Sequence, residues 1–298
     1  MKIGKEKKEN KPLRKISAIS IHQNRFLCVF KMRKYYWIGV LVLLSLTQCK
    51  KMPNDGYPFY LRINEVELTT QPSQGANTHG IVDVWIEANN SSLGGNQFPI
   101  EMPVLEEGNV RMLFQAGIKA NGFTQARIVY PFYSPDTVTF TNVKRLDKIV
   151  YKPKFTYKPA TKFQFFEDFE FGNQFSFTLD KVKDGYGTWC GKLSLNATQT
   201  DKETQSTAPL VLKGGTVAWV EFDYKADASF EVGLYAGAAR LSKIVLFPKQ
   251  NWNKFYLNVS DEIGAYSGEQ FNLFFKVAMP DSASAANVWI DNVKLLTF

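Results

Sequence analysis

A chain of 298 residues with 45% hydrophobic and 14% aromatic content carries enough apolar matter for two cores, which excludes a disordered tail or linker. The formal charge of +8 hints at a polyanion, yet 11 of the 36 Lys and Arg precede residue 49, against only Glu6 and Glu9 of the 28 acidic residues. From residue 49 onward 25 basic side chains meet 26 acidic ones, a net of −1, and no Lys/Arg run interleaves with aromatics, so nucleic acid is not an expected partner.

In chain order, residues 1–31 are Lys-rich without an apolar period and stand apart from the rest of the chain as a doubtful N-terminal extension, with Met32 the expected start. Residues 32–48 run from Arg33-Lys34 into an apolar stretch, Tyr35 to Leu46, far short of the roughly 20 residues that a membrane-spanning helix needs. They end in Leu46-Thr47-Gln48-Cys49, which resembles the lipobox of bacterial lipoprotein signal peptides. The resemblance implies cleavage before Cys49 and acylation of its thiol (palmitate among the chains). Each buried CH₂ then contributes about 0.8 kcal/mol to holding the protein on a lipid bilayer. The aromatic-rich body and the Cys-Lys-Lys start resemble outer-membrane lipoproteins of the Bacteroidota. In that group acidic residues after the cysteine accompany surface display; Lys50-Lys51 stand there instead, and the leaflet stays open.

Cys28 lies in the extension and Cys49 is the acylation site, which leaves Cys190 alone: no disulfide framework and no metal-spaced pair is expected. Beside Trp189, Cys190 reads as a small buried hydrophobe rather than a reactive thiol.

Residues 49–57 form a polar tether. The segments Tyr60 to Leu68 and Ile81 to Glu87 alternate apolar and polar residues, as half-buried strands do. Leu93-Gly94-Gly95-Asn96-Gln97-Phe98-Pro99, followed by Val104 to Gly117, resembles a PEGA-type β-module over about residues 82–119; such modules imply scaffolding and bring no catalytic residues. Residues 58–150 are thus expected to be a small β-sandwich. The Pro-punctuated segment 151–162 reads as an inter-domain connection whose Tyr and Phe side chains pack across the junction.

From 163 to 298 short alternating strands succeed one another with turn signals between, the pattern of an antiparallel sandwich. Phe165-Phe166-Glu167-Asp168-Phe169-Glu170, Glu221-Phe222-Asp223-Tyr224-Lys225, Trp252-Asn253-Lys254 and Ile290-Asp291-Asn292-Val293 together resemble jelly-roll carbohydrate-binding modules and their galactose-binding-like relatives. The whole is therefore expected to be all-β, a small N-terminal β-sandwich followed by a C-terminal antiparallel jelly-roll β-sandwich. No cofactor is required on this reading. The resemblance does imply a structural Ca²⁺ bridging first and last strands, through Glu167 or Glu170 with Asp291. Calcium takes about six to eight oxygens, so backbone carbonyls would complete the shell. The plainer alternative has Asp291 capping a turn or pairing with a lysine.

Strand parity places Val220, Phe222 and Tyr224 on one face and Trp219, Glu221 and Asp223 on the other. Trp219, Glu221 and Tyr235 then suggest a glycan platform, flat rings for stacking with an acid for the hydroxyls; the alternative is a surface buried by the first domain. Trp252 reads as core. After Cys49 the single histidine is His79, in a Gly/Asn/Thr loop without a motif-level partner, so neither a nucleophile–base pair nor a zinc site is indicated. Three functions remain. The first is a non-enzymatic accessory subunit with an outer-membrane protein partner; the second is a glycan-binding lipoprotein; the third is a carboxylate-based glycoside hydrolase.

Overall fold

The computed structural model describes residues 56–185, 189–281 and 283–298; the leader and Cys49 lie outside them. Residues 56–298 form one compact unit of β-strands, with a single six-residue α-helix, Ser260–Ala265, among the described residues. No helix among them is long and apolar enough to cross a membrane. The all-β reading is what the chain adopts.

The N-terminal part is built around strand Gly108–Lys119, in which Val110, Met112, Phe114, Ala116 and Ile118 alternate into the core. It pairs with Ile81–Ala88, Arg127–Val129 and Asp136–Val143, and Ser91–Gln97 extends the sheet. Ile81–Ala88 and Ser91–Gln97 are joined by Asn89-Asn90, both at positive φ, as a two-residue hairpin turn requires. Opposite lies a three-stranded sheet with Phe59–Ile63 at its centre, flanked by Ile100–Val104 and Lys148–Val150. The segment between residues 151 and 162 is woven into this part: Lys154–Phe155 pairs in parallel with Glu67–Leu68, and Phe155 and Tyr157 are buried.

The C-terminal part is an antiparallel sandwich of a six-stranded and a five-stranded sheet. Strand Ala218–Ala226 is central to the first, between Ala285–Thr297 and Lys249–Asn258; Ala285–Thr297 also pairs with Cys190–Asn196 and Lys162–Glu167, and Asp180–Val182 forms the far edge. Inward-facing Val220, Phe222, Phe255, Leu257 and Leu295 meet Val232, Leu273, Phe275 and Val277 of the second sheet. Removing this much apolar surface from water, at about 25 cal/mol per Å², is the main force holding the two layers together.

The second core does not stop at the N-terminal part. It continues onto the outer face of the six-stranded sheet through Trp219, Tyr256 and Leu296, so the N-terminal domain sits on part of that face. Tyr130 is the pivot of this junction, with rings of Tyr133, Tyr256, Trp219 and Phe132 at 4.8, 4.9, 5.5 and 5.6 Å. Edge-to-face pairs of this kind add about 0.5–1.5 kcal/mol each beyond their buried area.

Candidate functional site

The outer face of the six-stranded sheet changes character row by row, and the rows are set by strand register. Trp219 pairs with Leu296 and Asn258 under the N-terminal domain. Next, Glu221 lies between Lys294 and Tyr256; then Asp223 lies between Asp291 and Lys254. Last comes Lys225, opposite Trp289, which is itself opposite Lys192. Alternation puts Trp252 on this face too, two residues before Lys254.

The middle rows are a sealed charge cluster. Glu221 is fully buried, and its two oxygens accept hydrogen bonds from Tyr130 Oη at 2.7 Å and Tyr157 Oη at 2.6 Å. Lys254 Nζ lies 3.6 Å from Glu221 and 3.7 Å from Asp223, while Lys294 Nζ donates to Tyr157 Oη at 3.0 Å and lies 3.9 Å from Glu221. Two carboxylates thus balance two ammonium groups out of reach of water, the condition under which buried charge is tolerated. Burial, and then the neighbouring Lys254, pushes Lys294 down to about 7. Burial and the Glu221 carboxylate push the Tyr130 and Tyr157 phenols well above their ordinary range. The N-terminal loop is pinned to the cluster: Thr78 Oγ1 donates to Asp223 at 2.6 Å, Gly80 N to Tyr256 Oη at 3.0 Å, and Ala76 N to Asn292 Oδ1 at 2.8 Å.

Beyond the seam, the face carries half-buried tryptophans under lysine ammonium groups. Lys192 Nζ lies 4.7 Å and Lys225 Nζ 4.9 Å from the Trp289 ring centre; Lys225 is also 5.5 Å from Trp252 and 2.6 Å from Asp184. On the inward side of the same sheet's edge, Lys181 and Lys183 lie 4.9 and 5.1 Å from the ring of Trp189, which packs against the sandwich core. Cation–π contacts at exposed positions contribute about 0.5–1 kcal/mol each, which orders the rings while leaving them displaceable. Trp252 also lines a 360 Å³ recess together with Asn77, Thr78, His79 and Asp223. Flat rings beside charged and amide side chains can stack on sugar faces and bond their hydroxyls.

Several sequence expectations are corrected by this geometry. Trp219 and Glu221 are buried at the domain junction and do not form an exposed platform. Tyr235 is on the other sheet, where its hydroxyl donates to Glu203 at 2.8 Å beside an Arg240 clamp on Glu203 and Glu231. Trp252, expected in the core, is half-buried on the outer face. Of the calcium candidates Glu167, Glu170 and Asp291, none joins a group of three or more potential metal-ligating side chains among the described residues. Glu167 instead accepts the backbone N–H groups of Phe169 and Gln174, both at 2.6 Å, and so closes its own loop. Glu170 accepts Trp189 N and Asp291 accepts Asn292 N. Cys190 is buried, and burial pushes its thiol up to about 12. His79 is lowered, chiefly by burial.

Trp289, Lys192 and Lys225 are what sequence reasoning missed. Their parity was legible, since Val288 and Ile290 flank Trp289 and point inward. Their convergence was not, because it arises from strand pairing between residues far apart in the chain, Lys192 with Trp289 and Lys225 with Trp289. The Lys–aromatic interleaving that the linear sequence lacks is created by the sheet.

No family model matches the chain, and no curated protein matches it in sequence. Among solved structures it is similar to a variant of a family 29 carbohydrate-binding module, at a TM-score of 0.33 and 11% identity over 46% of this chain and 85% of that one. It is similar to another family 29 variant, complexed with mannohexaose, at a TM-score of 0.31 and 12% identity over 46% and 91% of the two chains. It is also similar to the K3 adhesin domain of Lys-gingipain from Porphyromonas gingivalis W83, at 0.33 and 13% over 46% and 99%.

Proposed function

We propose that this chain is a non-catalytic, glycan-binding lipoprotein of a bacterial outer membrane, anchored through acylated Cys49. The observation that carries the binding role is the uncovered row Lys192–Trp289–Lys225 with Trp252 beside it, drawn from four strands of one rigid sheet. A rigid sheet holds such rings at low entropic cost, which favours binding over adaptive contact. The N-terminal domain then acts as a brace, the scaffolding role that the PEGA-type resemblance implies. Glu221, enclosed with both oxygens already engaged by tyrosines, is not placed to meet a sugar.

A second reading, an accessory subunit with a protein partner, is favoured by a different surface. Phe123, Val245 and Phe247, at 60%, 54% and 73% exposure, border a 620 Å³ groove between the two parts. A glycan microarray probed with the intact protein separates the two. Discrete hits that vanish in Trp289→Ala support glycan binding. An empty array, with a partner protein recovered by crosslinking, supports the accessory role; turnover of any bound polysaccharide sinks the non-catalytic claim. Labelling with a clickable palmitate analogue, lost in Cys49→Ala, tests the anchor.

A further inference from the structure

If the row on the outer sheet face binds a glycan, its chemistry also selects which kind. Trp289 is flanked by a lysine on each neighbouring strand, and both ammonium groups lie over its ring. Lys225 is paired with Asp184, but Lys192 makes no ion pair among the described residues, although Asp180 is its cross-strand neighbour. A neutral sugar stacking on Trp289 would have to move these cations aside and would offer them only hydroxyls. A sugar carrying a carboxylate or sulfate meets the same cations with its own charge as they leave the ring, so the displaced contact is replaced by a stronger one.

We infer that the Lys192–Trp289–Lys225 row takes an anionic glycan, one with carboxylate or sulfate groups along the chain, a conclusion that rests on the glycan-binding reading. Nucleic acid is disfavoured because the body from residue 49 onward is near neutral and supplies no long-range field for a densely charged strand. Lys192, with Lys225 beside it as a cation shared with Asp184, supplies the local charge that a polymer with one charge per sugar needs.

The test is titration calorimetry of the whole protein with polygalacturonate, dextran sulfate, a neutral galactan and single-stranded DNA. Salt is raised from about 0.01 to about 0.15 M, which shortens the screening length from about 30 to about 8 Å. Polygalacturonate or dextran sulfate should bind, more weakly at the higher salt, and whichever is tighter identifies the charged group. Lys192→Ala, at an accessible position, should keep its thermal midpoint and weaken that binding about fivefold, as loss of one exposed charge contact predicts. Neutral galactan bound as tightly as the acidic polymers, with no effect of salt or of Lys192→Ala, overturns the anionic selectivity and leaves glycan binding standing. Tighter binding of the DNA also overturns it. A folded protein that binds none of these or any arrayed glycan removes the glycan reading itself.

Discussion

Lys225 stands directly across from Trp289 in the antiparallel pairing of Ala218–Ala226 with Ala285–Thr297, its ammonium 4.9 Å from the ring centre and 2.6 Å from Asp184. The same lysine reaches Trp252 at 5.5 Å, so one cation sets the spacing of two rings. Lys225→Ala should therefore loosen both rings and lower glycan affinity. Folding stability should fall by about 1–3 kcal/mol, the sum of two cation–π contacts and one ion pair. Calorimetric affinity and urea denaturation, measured on the same preparation, check the two halves of this expectation.

Glu221 should behave in the opposite way. Glu221→Ala strips the partner from two buried phenols, removes the carboxylate nearest Lys294 and leaves Lys254 with Asp223 alone, which should cost about 3–5 kcal/mol. Adding Lys294→Met to that variant should recover part of the loss, since the second change removes a stranded charge. A double-mutant cycle in urea reads the coupling, and strict additivity would show that the cluster does not act as a unit.

The same cluster sets a pH dependence. Lys294 is lowered to about 7 in the folded protein, so between about 7 and the ordinary lysine value of about 10.4 the unfolded chain holds more protons than the folded one. Stability from this group should rise with pH across that window. Tyr130, Tyr133 and Tyr157 are raised by burial, so above about pH 10 the folded chain holds the extra protons and stability should fall. Urea midpoints measured from pH 7 to 11 should pass through a maximum, and Lys294→Met should flatten the rising limb.

Gly75 gives a sharper local test. At φ +78° a Cβ there would lie 2.6 Å from Asn292 Oδ1, the atom that accepts Ala76 N. Gly75→Ala should unseat the loop that carries Thr78 and cost about 1–3 kcal/mol, the scale of strain at such a conformation. Hydrogen exchange should show faster amide exchange at Ala76 and Gly80 while the strands of the sandwich keep their protection.

What the sequence made legible was periodicity. Alternation in Ala218–Ala226 correctly separated Phe222 and Tyr224 from Trp219 and Glu221, because each strand has one inward face whatever it pairs with. It could not say what covers the other face, and the cover changes within nine residues: Trp219 lies under the N-terminal domain, while Lys225 lies beyond its edge. The same blindness misplaced Trp252, whose neighbours Phe255 and Leu257 are core but which falls past the junction. Parity puts Tyr235, like Trp219, on the polar side of its strand, but sheet topology places the two strands in different layers.

The most direct test of glycan binding by the outer face is the affinity of purified protein for its best arrayed glycan, compared between the Trp289→Ala/Trp252→Ala double variant and Tyr235→Ala, with circular dichroism confirming that both are folded. The double variant should lose binding, and Tyr235→Ala, on the opposite sheet, should bind as the parent does. Unchanged binding in the double variant, or loss of binding on changing Tyr235 alone, would contradict the assignment of the site to this face.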